Sequence, residues 1–563
     1  MCRWRLTVAL ILAALVAVPL AVPLAKLLAD PAAWESWNEA GRLLALARNT
    51  FFLVAGTLVL ALPAGVAAAV LLYRTDLPLR RGLRFLTVLT LFIPLPLFTS
   101  GWQAVLGSGG WLPLAFWNVP RASGPTYSSS GTSWTPWGQG IGSAVWIHAV
   151  AGLPWVILLA GQGLRWVERE LEEDALTAAG PWRVLVRVTL RRSAAAVAAA
   201  ALWVALQAGT EITVTDVMQV RTFAEEVYTQ FVGPEAFGGR GDVVARAVAV
   251  NLPFVFLTAL LVVVMARRWA RNLPPRATLA APPLTFRLGR LRWPVGLTVT
   301  AAFALLLAVP LGSLVWRAGL QGAPPAWSLR TTLRHLSLVA RADDTALRDS
   351  LGLAAAAGAA CAGLGLVTCW AALGTRWFRG GVLALMAVAW AMPGPLVGLG
   401  LLWAIDRLLD VTRSPLLGQL LWYGPSLVPA FWVDLIRFFP CAVAVLWPVL
   451  RLLPAELRDA ARVDGAGPVQ ELRLVVWPLS AAACLRAGLA VAVLSLGELS
   501  AGKLVLLPGK PTFASEVFTQ MHYGVTNDLA ARCLLLLGAV LAGGVLVAAA
   551  GRWRPPGSQV QVL

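Results

Sequence analysis

Few residues of this sequence have the types and spacing that chemistry requires, and none of them forms a catalytic signature. The stretch from Gly497 to Lys503 has the G-x-x-x-x-G-K spacing of loops that cradle phosphates. Leu504, however, stands where a Ser or Thr would bind magnesium, and the flanks are apolar instead of a strand followed by a helix. The three histidines are scattered. We therefore predict no ATP site, no enzymatic activity, no metal site and no cofactor on this chain.

Two acidic residues at the ends of apolar segments are more informative. Glu211 lies in Gly-Thr-Glu-Ile, and Glu498 lies 287 residues later in Gly-Glu-Leu. A charge at membrane depth is costly and usually marks a pathway or a partner. Two interpretations stay open. The acids could line a pathway for a cation, where oxygen ligands suit a hard ion such as ferric iron, or they could be acids at the wet end of a helix.

The most polar stretch, residues 456–480, interrupts long apolar runs and contains Asp459-Ala460-Ala461. Gly465 and Gly467 can adopt the positive φ that ends a helix, and Pro468 is suited to open the next one because its missing N–H would be unpaired there. The stretch therefore predicts a short helix, a tight turn and a second helix outside the lipid. Pro478 follows ten residues after Pro468.

A second copy of this stretch lies 287 residues earlier. It contains Glu172 at the position of Asp459, Gly180 at the position of Gly467, and Ala178 at the position of Gly465. Two acids replace the alanines, and an arginine replaces Pro478. A solvated charged loop is the plain alternative for either copy alone, but the duplication favours a shared function.

Composition indicates a membrane protein. The chain has 563 residues, of which 58% are hydrophobic and 13% charged, with a mean hydropathy of +0.73. A soluble protein could not bury that much apolar surface. The net charge of +18 comes from arginines in short loops between apolar runs, which is the positive-inside pattern and not a nucleic-acid surface. Six cysteines form no C-x-x-C pair, which argues against a disulfide framework or a zinc site.

The hydropathy predicts an all-α polytopic membrane protein with about twelve transmembrane helices. The first run could be a signal peptide, but it is long enough to span and we interpret it as a retained helix. An even number of spans places both termini and both polar loops in the cytoplasm. The predicted spans lie near 6–28, 48–72, 85–106, 141–164, 193–217, 243–266, 295–316, 349–373, 381–405, 433–453, 480–505 and 528–550.

The two halves repeat elsewhere, which predicts two parallel repeats of six helices, related by an axis along the membrane normal. Residues 48–50 and 348–350 precede spans two and eight with helix N-cap chemistry. A Pro-x-Pro occurs in spans three and nine. The pattern Thr-Phe-Ala-x-Glu-Val-x-Thr-Gln occurs twice, at 222–230 and at 512–520. The changing offset predicts a small insertion in the first half, near 107–140.

The two polar loops resemble the EAA motif of type I ABC importer permeases. Over nearly its whole length the chain resembles the fused two-domain permeases of the ferric-iron group. This resemblance implies that Glu172, Ala178, Gly180, Asp459, Ala460, Ala461, Gly465 and Pro478 form coupling loops. It also implies two copies of an ABC ATPase inside, an extracytoplasmic solute-binding protein, and a substrate pathway near Glu211 and Glu498. Thiamine, polyamine, phosphonate and sulfate permeases share the plan and stay open as alternatives.

The resemblance also predicts the domain organisation and location. We expect a multi-pass protein of the bacterial inner membrane that binds no nucleic acid. Rivals from other classes are an ion-coupled secondary transporter, which would need charge pairs in mid-membrane, and a membrane enzyme, which would need a clustered catalytic constellation. The predicted units are a first helix with its outer loop at 1–45, a first permease domain at 46–268, a linker with the seventh helix at 269–345, a second permease domain at 346–551, and a cytoplasmic tail at 552–563.

Overall fold

The computed structural model describes residues 3–91, 93–106, 139–232, 243–271, 283–322, 326–342, 344–521 and 525–550. In these residues the regular secondary structure is helical, with one two-stranded antiparallel hairpin, β1 (Leu320–Gln321) and β2 (Ala326–Trp327), and an isolated parallel bridge between Thr75 and Phe286. The helices before the hairpin are α1 (Arg3–Leu12), α2 (Val18–Ala29), α3 (Ala40–Arg74), α4 (Arg80–Thr90), α5 (Leu95–Leu106), α6 (Ile141–Arg165), α7 (Arg169–Ala178), α8 (Pro181–Val184), α9 (Leu190–Arg192), α10 (Ala194–Thr210), α11 (Thr213–Val217), α12 (Phe223–Val232), α13 (Val243–Arg271) and α14 (Arg292–Gly319).

The helices after the hairpin continue the series to the end of the described chain. They are α15 (Leu329–Ala342), α16 (Asp344–Ala372), α17 (Arg376–Ala391), α18 (Gly394–Thr412), α19 (Pro415–Gly418), α20 (Val428–Arg451), α21 (Ala455–Val463), α22 (Pro468–Glu471), α23 (Trp477–Ser495), α24 (Gly502–Val505), α25 (Phe513–Met521) and α26 (Asn527–Ala550). Single π turns occupy Ala13–Ala17, Leu185–Thr189, Gln419–Tyr423 and Leu472–Val476, and 3-10 turns occupy Pro31–Asn38 and Gly289–Leu291.

The membrane-spanning set agrees with the predicted twelve. Within the described residues, nine helices are long and apolar enough to cross a membrane, and twelve spans result when each of three bent pairs is counted as one. Helices are required because hydrocarbon offers no partner for backbone N–H and C=O groups. In the most apolar part of the span at 141–165, 61% of residues are buried in protein, against 17% for the span at 289–319. The first is therefore central and the second faces lipid.

Spans three and nine are not the continuous helices that the sequence predicts. The chain bends by 103° between α4 and α5, and by 113° between α17 and α18, in both cases at the repeated Pro-x-Pro. Proline lacks a backbone N–H and clashes with the preceding turn, which disfavours continuation of the helix. Pro94 directly precedes α5, and Pro393 directly precedes α18. The prolines that served as a repeat marker therefore also explain two breaks at membrane depth.

Each half is built around three tightly packed helices in equivalent order. In the first half α3, α6 and α10 pack on one another, and in the second half α16, α20 and α23 do the same. The outer helices α12 and α25, which carry the Thr-Phe-Ala repeat, occupy matching places after α10 and α23. The structure thus has the two-repeat, all-α transmembrane architecture that the sequence predicts.

The halves exchange their first helices. Helix α2, from the first half, packs on α18 of the second half, and α14, from the second half, packs on α5 of the first half. The last helices cross over as well, since α13 packs on α17 and α26 contacts α4. Each broken span therefore packs against a helix from the other half.

Thr50 and Ser350 do not cap their own spans, so the N-cap prediction for residues 48–50 and 348–350 is wrong. Both lie well inside long helices, α3 and α16. Their hydroxyl oxygens instead accept hydrogen bonds from the first backbone N–H of the outer helices. The donors are Phe223 N at 3.2 Å from Thr50 Oγ1 and Phe513 N at 2.8 Å from Ser350 Oγ. The repeat thus preserves a contact between a span and an outer helix.

Three sequence predictions lie wholly or partly outside the described residues. The predicted insertion at 107–140 is described only at residues 139 and 140, the unit at 269–345 is not described between 272 and 282, and the predicted tail at 552–563 lies outside the described residues. The proposed domain boundaries stay predictions.

The repeated hydroxyl contact can be tested by removing the acceptor in each half. Thr50→Val and Ser350→Ala each leave a helix-terminal N–H unpaired, which costs about 1–3 kcal/mol when the group is buried. We expect both variants to lower the Tm of the detergent-purified chain, and Ser350→Ala more strongly because its bond is fully buried. Thr298→Val is the control, because that exposed hydroxyl bonds only its own helix. A Tm unchanged from the parent in all three variants would contradict the repeated contact.

Candidate functional site

The second polar loop folds as the sequence predicts, with one difference. Helices α21 and α22 are joined by a turn in which Gly465 has φ +85°, while a Cβ there would meet nothing within 4 Å. Glycine is therefore required by backbone conformation and not by space. Gly467 has φ −70°, so it does not supply a second positive φ. Pro468 opens α22 as predicted, and the Gln470 side chain accepts a hydrogen bond from Gly467 N at 2.9 Å.

The motif residues of this loop lie at its surface. Asp459 and Ala460 are exposed on α21, and Ala461 is half-buried. The Asp459 carboxylate accepts a hydrogen bond from Arg462 at 3.3 Å, within the same helix. Pro478 is exposed in the first turn of α23. These positions leave the acid-Ala-Ala face of α21 open to a partner.

The first polar loop has the same backbone plan at a constant offset of 287. Helices α8 and α22 begin at equivalent positions, and the π turns at Leu185–Thr189 and Leu472–Val476 coincide in the repeat. Ala178 is the last residue of α7, and Ala179 and Gly180 are extended, with φ of −146° and −67°. The first loop therefore makes its turn without the positive φ that Gly465 supplies. The alanine is tolerated because the chain leaves the helix by a different route.

Glu172 is held inside the protein by a buried arginine. Arg74, the last residue of α3, forms an ion pair with Glu172, and both side chains have no exposed surface. Arg74 also donates to the Leu164 carbonyl at 3.1 Å, and Thr189 Oγ1 donates to Glu172 Oε1 at 2.5 Å. One carboxylate thus ties α7 to the end of α3 and to the π turn of the same loop. Glu172 is the sequence counterpart of Asp459, but its side chain is buried and does not reach the protein surface.

The second half reaches the same result with different residues. Glu471, at the end of α22, is 4% exposed and accepts hydrogen bonds from Trp370 Nε1 at 3.2 Å and Arg462 Nε at 3.0 Å. Trp370 lies near the end of α16, the repeat counterpart of α3. Each loop is therefore fastened by a buried glutamate to a central helix of its own half. Sequence reasoning missed Glu471 because it lies outside the acid-Ala-Ala motif.

Apolar side chains point away from the protein at both loops. Trp182 and Val469 occupy equivalent positions just after the two helix-opening prolines, and they are 73% and 74% exposed. Val463, at the end of α21, is 86% exposed. Such exposure on a polar loop is typical of a surface that another protein covers. The loops present apolar contacts outward while their glutamates anchor them inward.

The two acids singled out in the sequence line one cavity of about 200 Å³. Glu211 follows directly on α10, and its carboxylate accepts hydrogen bonds from Thr213 N at 2.6 Å and Val214 N at 3.0 Å. It therefore caps the short helix α11. Within the described residues, no basic side chain pairs with it. The structure places Glu211 at the break between a span and its outer helix, where the residue is half-buried.

Glu498 has a cationic partner that Glu211 lacks. Its Oε1 accepts a hydrogen bond from Ala501 N at 2.8 Å, and its Oε2 lies 3.4 Å from Nε of Arg437 on α20. Asp434, one turn before Arg437, is buried and accepts a hydrogen bond from Ser495. Asp434 and Arg437 were missed in the sequence, although a charged pair inside an otherwise apolar span is a recognisable signal.

The two halves meet at this cavity. A Cβ on Gly497, next to Glu498, would lie 2.8 Å from Cβ of Pro94 at the break before α5. The glycine is thus needed for a close approach of the second half to the broken span of the first. His148 on α6, which the sequence places inside a helix, is 4% exposed and also lines the cavity. The cavity is therefore built from helix ends and breaks of both repeats.

The buried anchors of the two loops predict unequal sensitivity to loss of charge. Glu172→Gln leaves the fully buried Arg74 without a counter-charge, which costs about 3–5 kcal/mol for a buried pair. Glu471→Gln should cost less because the side chain of Arg462 is 53% exposed and can be hydrated. We expect Tm in detergent to fall most in Glu172→Gln.

A matched control lies on the same loop. Glu168 pairs with Arg192 at the surface, and the hydrogen bond from Arg192 lowers the pKa of Glu168 from its ordinary value. Exposed pairs contribute only about 0–1 kcal/mol, so Glu168→Gln should change Tm little. A fall in Tm as large for Glu168→Gln as for Glu172→Gln would refute the buried anchor.

Comparison with known proteins gives a family for the second half. Residues 363–553 match the family described as binding-protein-dependent transport system inner membrane component. The putrescine transport system permease protein PotI of Escherichia coli (strain K12) is 30% identical over 194 residues, which is 34% of this chain and 66% of the relative. The protein of the same name from Escherichia coli O6:H1 gives the same values. The aligned part of the chain thus spans just under two thirds of these curated relatives. Residues 363–553, with the Gly465 loop near their centre, are therefore similar to the inner membrane components of binding-protein-dependent transport systems.

Proposed function

We propose that the whole chain is the permease component of an ABC importer in the bacterial inner membrane, with both halves acting as permease domains. The observation that carries this proposal is the repeated polar loop. Two loops share one backbone plan at an offset of 287, and each is anchored by a buried glutamate to a central helix. A solvated connection between spans has no need of either property. Two loops fit two copies of an ATPase subunit.

The partners follow from this arrangement. ATP hydrolysis takes place on the separate ATPase subunits, which cover the exposed Trp182, Val463 and Val469. A solute-binding protein delivers substrate at the opposite face. Closure of the ATPase dimer pulls the loops together, and the buried glutamates pass that movement to the ends of α3 and α16. The cavity at Glu211 and Glu498 then opens to the outside.

The substrate we propose is a cation. The cavity has two carboxylates and one guanidinium, that of Arg437, which favours positive charge and disfavours phosphonate and sulfate. Ferric iron was the substrate implied by the sequence resemblance, but neither relative reported above is an iron permease. Their name, putrescine permease, supports the polyamine alternative. Thiamine also carries positive charge and stays a candidate.

An ion-coupled secondary transporter is the rival from another class. The partly buried pair of Arg437 and Glu498 is a feature that such a carrier could use. A carrier, however, would have no use for two anchored cytoplasmic loops with apolar side chains exposed on them. The two proposals differ in what drives uptake: ATP and a binding protein, or an ion gradient.

The docking role of the second loop is tested at its turn. Gly465→Val forces a β-branched residue into φ +85°, a conformation that L-residues adopt only at a cost of about 1–2 kcal/mol. We expect normal insertion by immunoblot, at least a tenfold loss of ATP-driven uptake in vesicles, and little stimulation of ATPase activity by the loaded binding protein.

The matching change in the first loop is the control. Ala178→Val occurs at the end of a helix that already holds a Cβ, so the loss of uptake should be severalfold smaller. Equal losses in the two variants, or full uptake by Gly465→Val, would contradict the proposed difference between the loops.

Orientation is tested with single cysteines at described positions. Gln321→Cys lies in the exposed hairpin after α14, and Leu79→Cys lies in the exposed turn between α3 and α4. We expect a membrane-impermeant maleimide to label the first in intact spheroplasts, and the second only after lysis. The parent chain gives the background, because four of its native cysteines are buried. Labelling of Leu79→Cys before lysis would reverse the orientation based on the arginine loops.

A further inference from the structure

The cavity shared by the two halves has an aromatic wall that the proposed pathway does not by itself explain. Trp155 on α6, Trp203 on α10 and Trp390 on α17 follow one another along it. The ring centroids of Trp155 and Trp203 lie 5.1 Å apart at an interplanar angle of 56°, and those of Trp203 and Trp390 lie 5.3 Å apart at 75°. Because neighbouring rings are strongly inclined to one another, the three indoles do not form a flat stack.

Some polar groups that line this cavity have no hydrogen-bond partner among the described residues. Nε2 of His148 and Nε1 of Trp203 are buried and have no hydrogen-bond partner among the described residues. His148 itself is 4% exposed and lines the cavity. An unpaired buried polar atom is costly, so a ligand with hydrogen-bonding groups would relieve it.

The charge of the cavity is also incomplete. Arg437 neutralises Glu498, to which it lies at 3.4 Å, whereas Glu211 accepts hydrogen bonds from the start of α11 and pairs with no basic side chain among the described residues. A cationic ligand would supply the missing counter-charge at Glu211. The aromatic faces would contribute as well, since a cation within about 6 Å of a Trp centroid is attracted by the ring quadrupole.

The same residues disfavour a bare metal ion. The described part of the chain has no group of three or more His, Cys, Asp or Glu residues arranged to hold a metal. Hard cations take six or more oxygen ligands, and indole rings offer none. The cavity volume, about 200 Å³, is many times the ~10–15 Å³ that one water molecule needs on the same measure. This space suits a small aliphatic molecule.

We propose that Trp155, Trp203 and Trp390, together with Glu211, form a binding subsite for a protonated alkylamine. The ammonium group donates to the Glu211 carboxylate and to Nε2 of His148, and its methylenes lie against the indole rings. This assignment rests on the proposed importer function, because it makes the cavity a station on the substrate pathway. It narrows the proposed cation to an organic ammonium.

The test is equilibrium binding of radiolabelled 1,4-diaminobutane to the purified full chain in lipid nanodiscs at neutral pH. We expect saturable binding that unlabelled butylammonium displaces, and that neutral 1,4-butanediol and ferric citrate do not displace. Glu211→Gln should weaken binding at least tenfold. Trp203→Leu should weaken it about five- to tenfold, and Trp203→Phe much less, because it keeps an aromatic face.

Two controls separate a binding role from a structural one. Glu516→Gln removes an acid of α25 outside the cavity and should bind like the parent. Trp203→Leu does not touch the cap of α11, so it decides the matter if Glu211→Gln misfolds. Absence of binding by the parent, equal displacement by the diol, or parent-like binding by both cavity variants would overturn the subsite.

A separate measurement tests the importer function. On the same preparations we measure whether the chain captures an ATPase subunit co-expressed from the neighbouring genes. We expect the Gly465→Val variant to lose this capture. Capture of the ATPase without diamine binding overturns the subsite alone. Diamine binding by a chain that captures no ATPase overturns the importer and leaves the subsite standing.

Discussion

The structure depends on one constraint, which is that a helix can be interrupted at membrane depth only where protein encloses the break. Unpaired backbone groups facing lipid would each cost several kcal/mol. The chain nevertheless ends or breaks a helix before Pro94, at Glu211 and near Glu498. All three places lie on the same cavity. The breaks therefore converge because each supplies part of the enclosure that the others need. Side chains at these breaks also serve the backbone, since Glu211 and Glu498 accept hydrogen bonds from the N–H groups that follow them.

Exchange of terminal helices makes this enclosure a property of both halves together. Helices α2 and α14 each cover the broken span of the opposite half, and Gly497 of one half touches Pro94 of the other. Neither half could cover its own break alone. A single chain carrying both halves keeps the two complementary surfaces at high effective concentration. The pseudo-two-fold arrangement thus lets each half contribute a helix that packs on the broken span of the other.

The two polar loops show how a repeat can keep a geometry while changing its chemistry. In the first half a fully buried ion pair of Arg74 and Glu172 anchors the loop, and in the second half Glu471 is shared by Trp370 and Arg462. A buried charge pair is sensitive to loss of either member, whereas a half-exposed arginine tolerates it. Only the second loop has the glycine turn. The loops are therefore alike in position and unlike in the residues that anchor them.

Much of this protein can be deduced from the sequence alone. Apolar runs near 20 residues predict the spans, arginine clusters predict the loop side, and a constant offset of 287 predicts two equivalent loops and two equivalent acids. Gly465 could be assigned its positive φ because only its local conformation mattered. Local signals of this kind are complete within a few residues, so no knowledge of distant contacts is needed to interpret them.

Tertiary structure decided everything that depends on a partner far away in the chain. Thr50 and Ser350 looked like caps of their own spans, but each pairs with the start of an outer helix more than 160 residues away. Glu172 looked equivalent to Asp459, yet the approach of Arg74 draws the first inside while the second stays at the surface. The three tryptophans of the cavity come from three separate helices, so no spacing in the sequence unites them. The physical reason is that burial and charge pairing are set by which helices pack together, and packing joins positions that hydropathy and local propensity treat as independent.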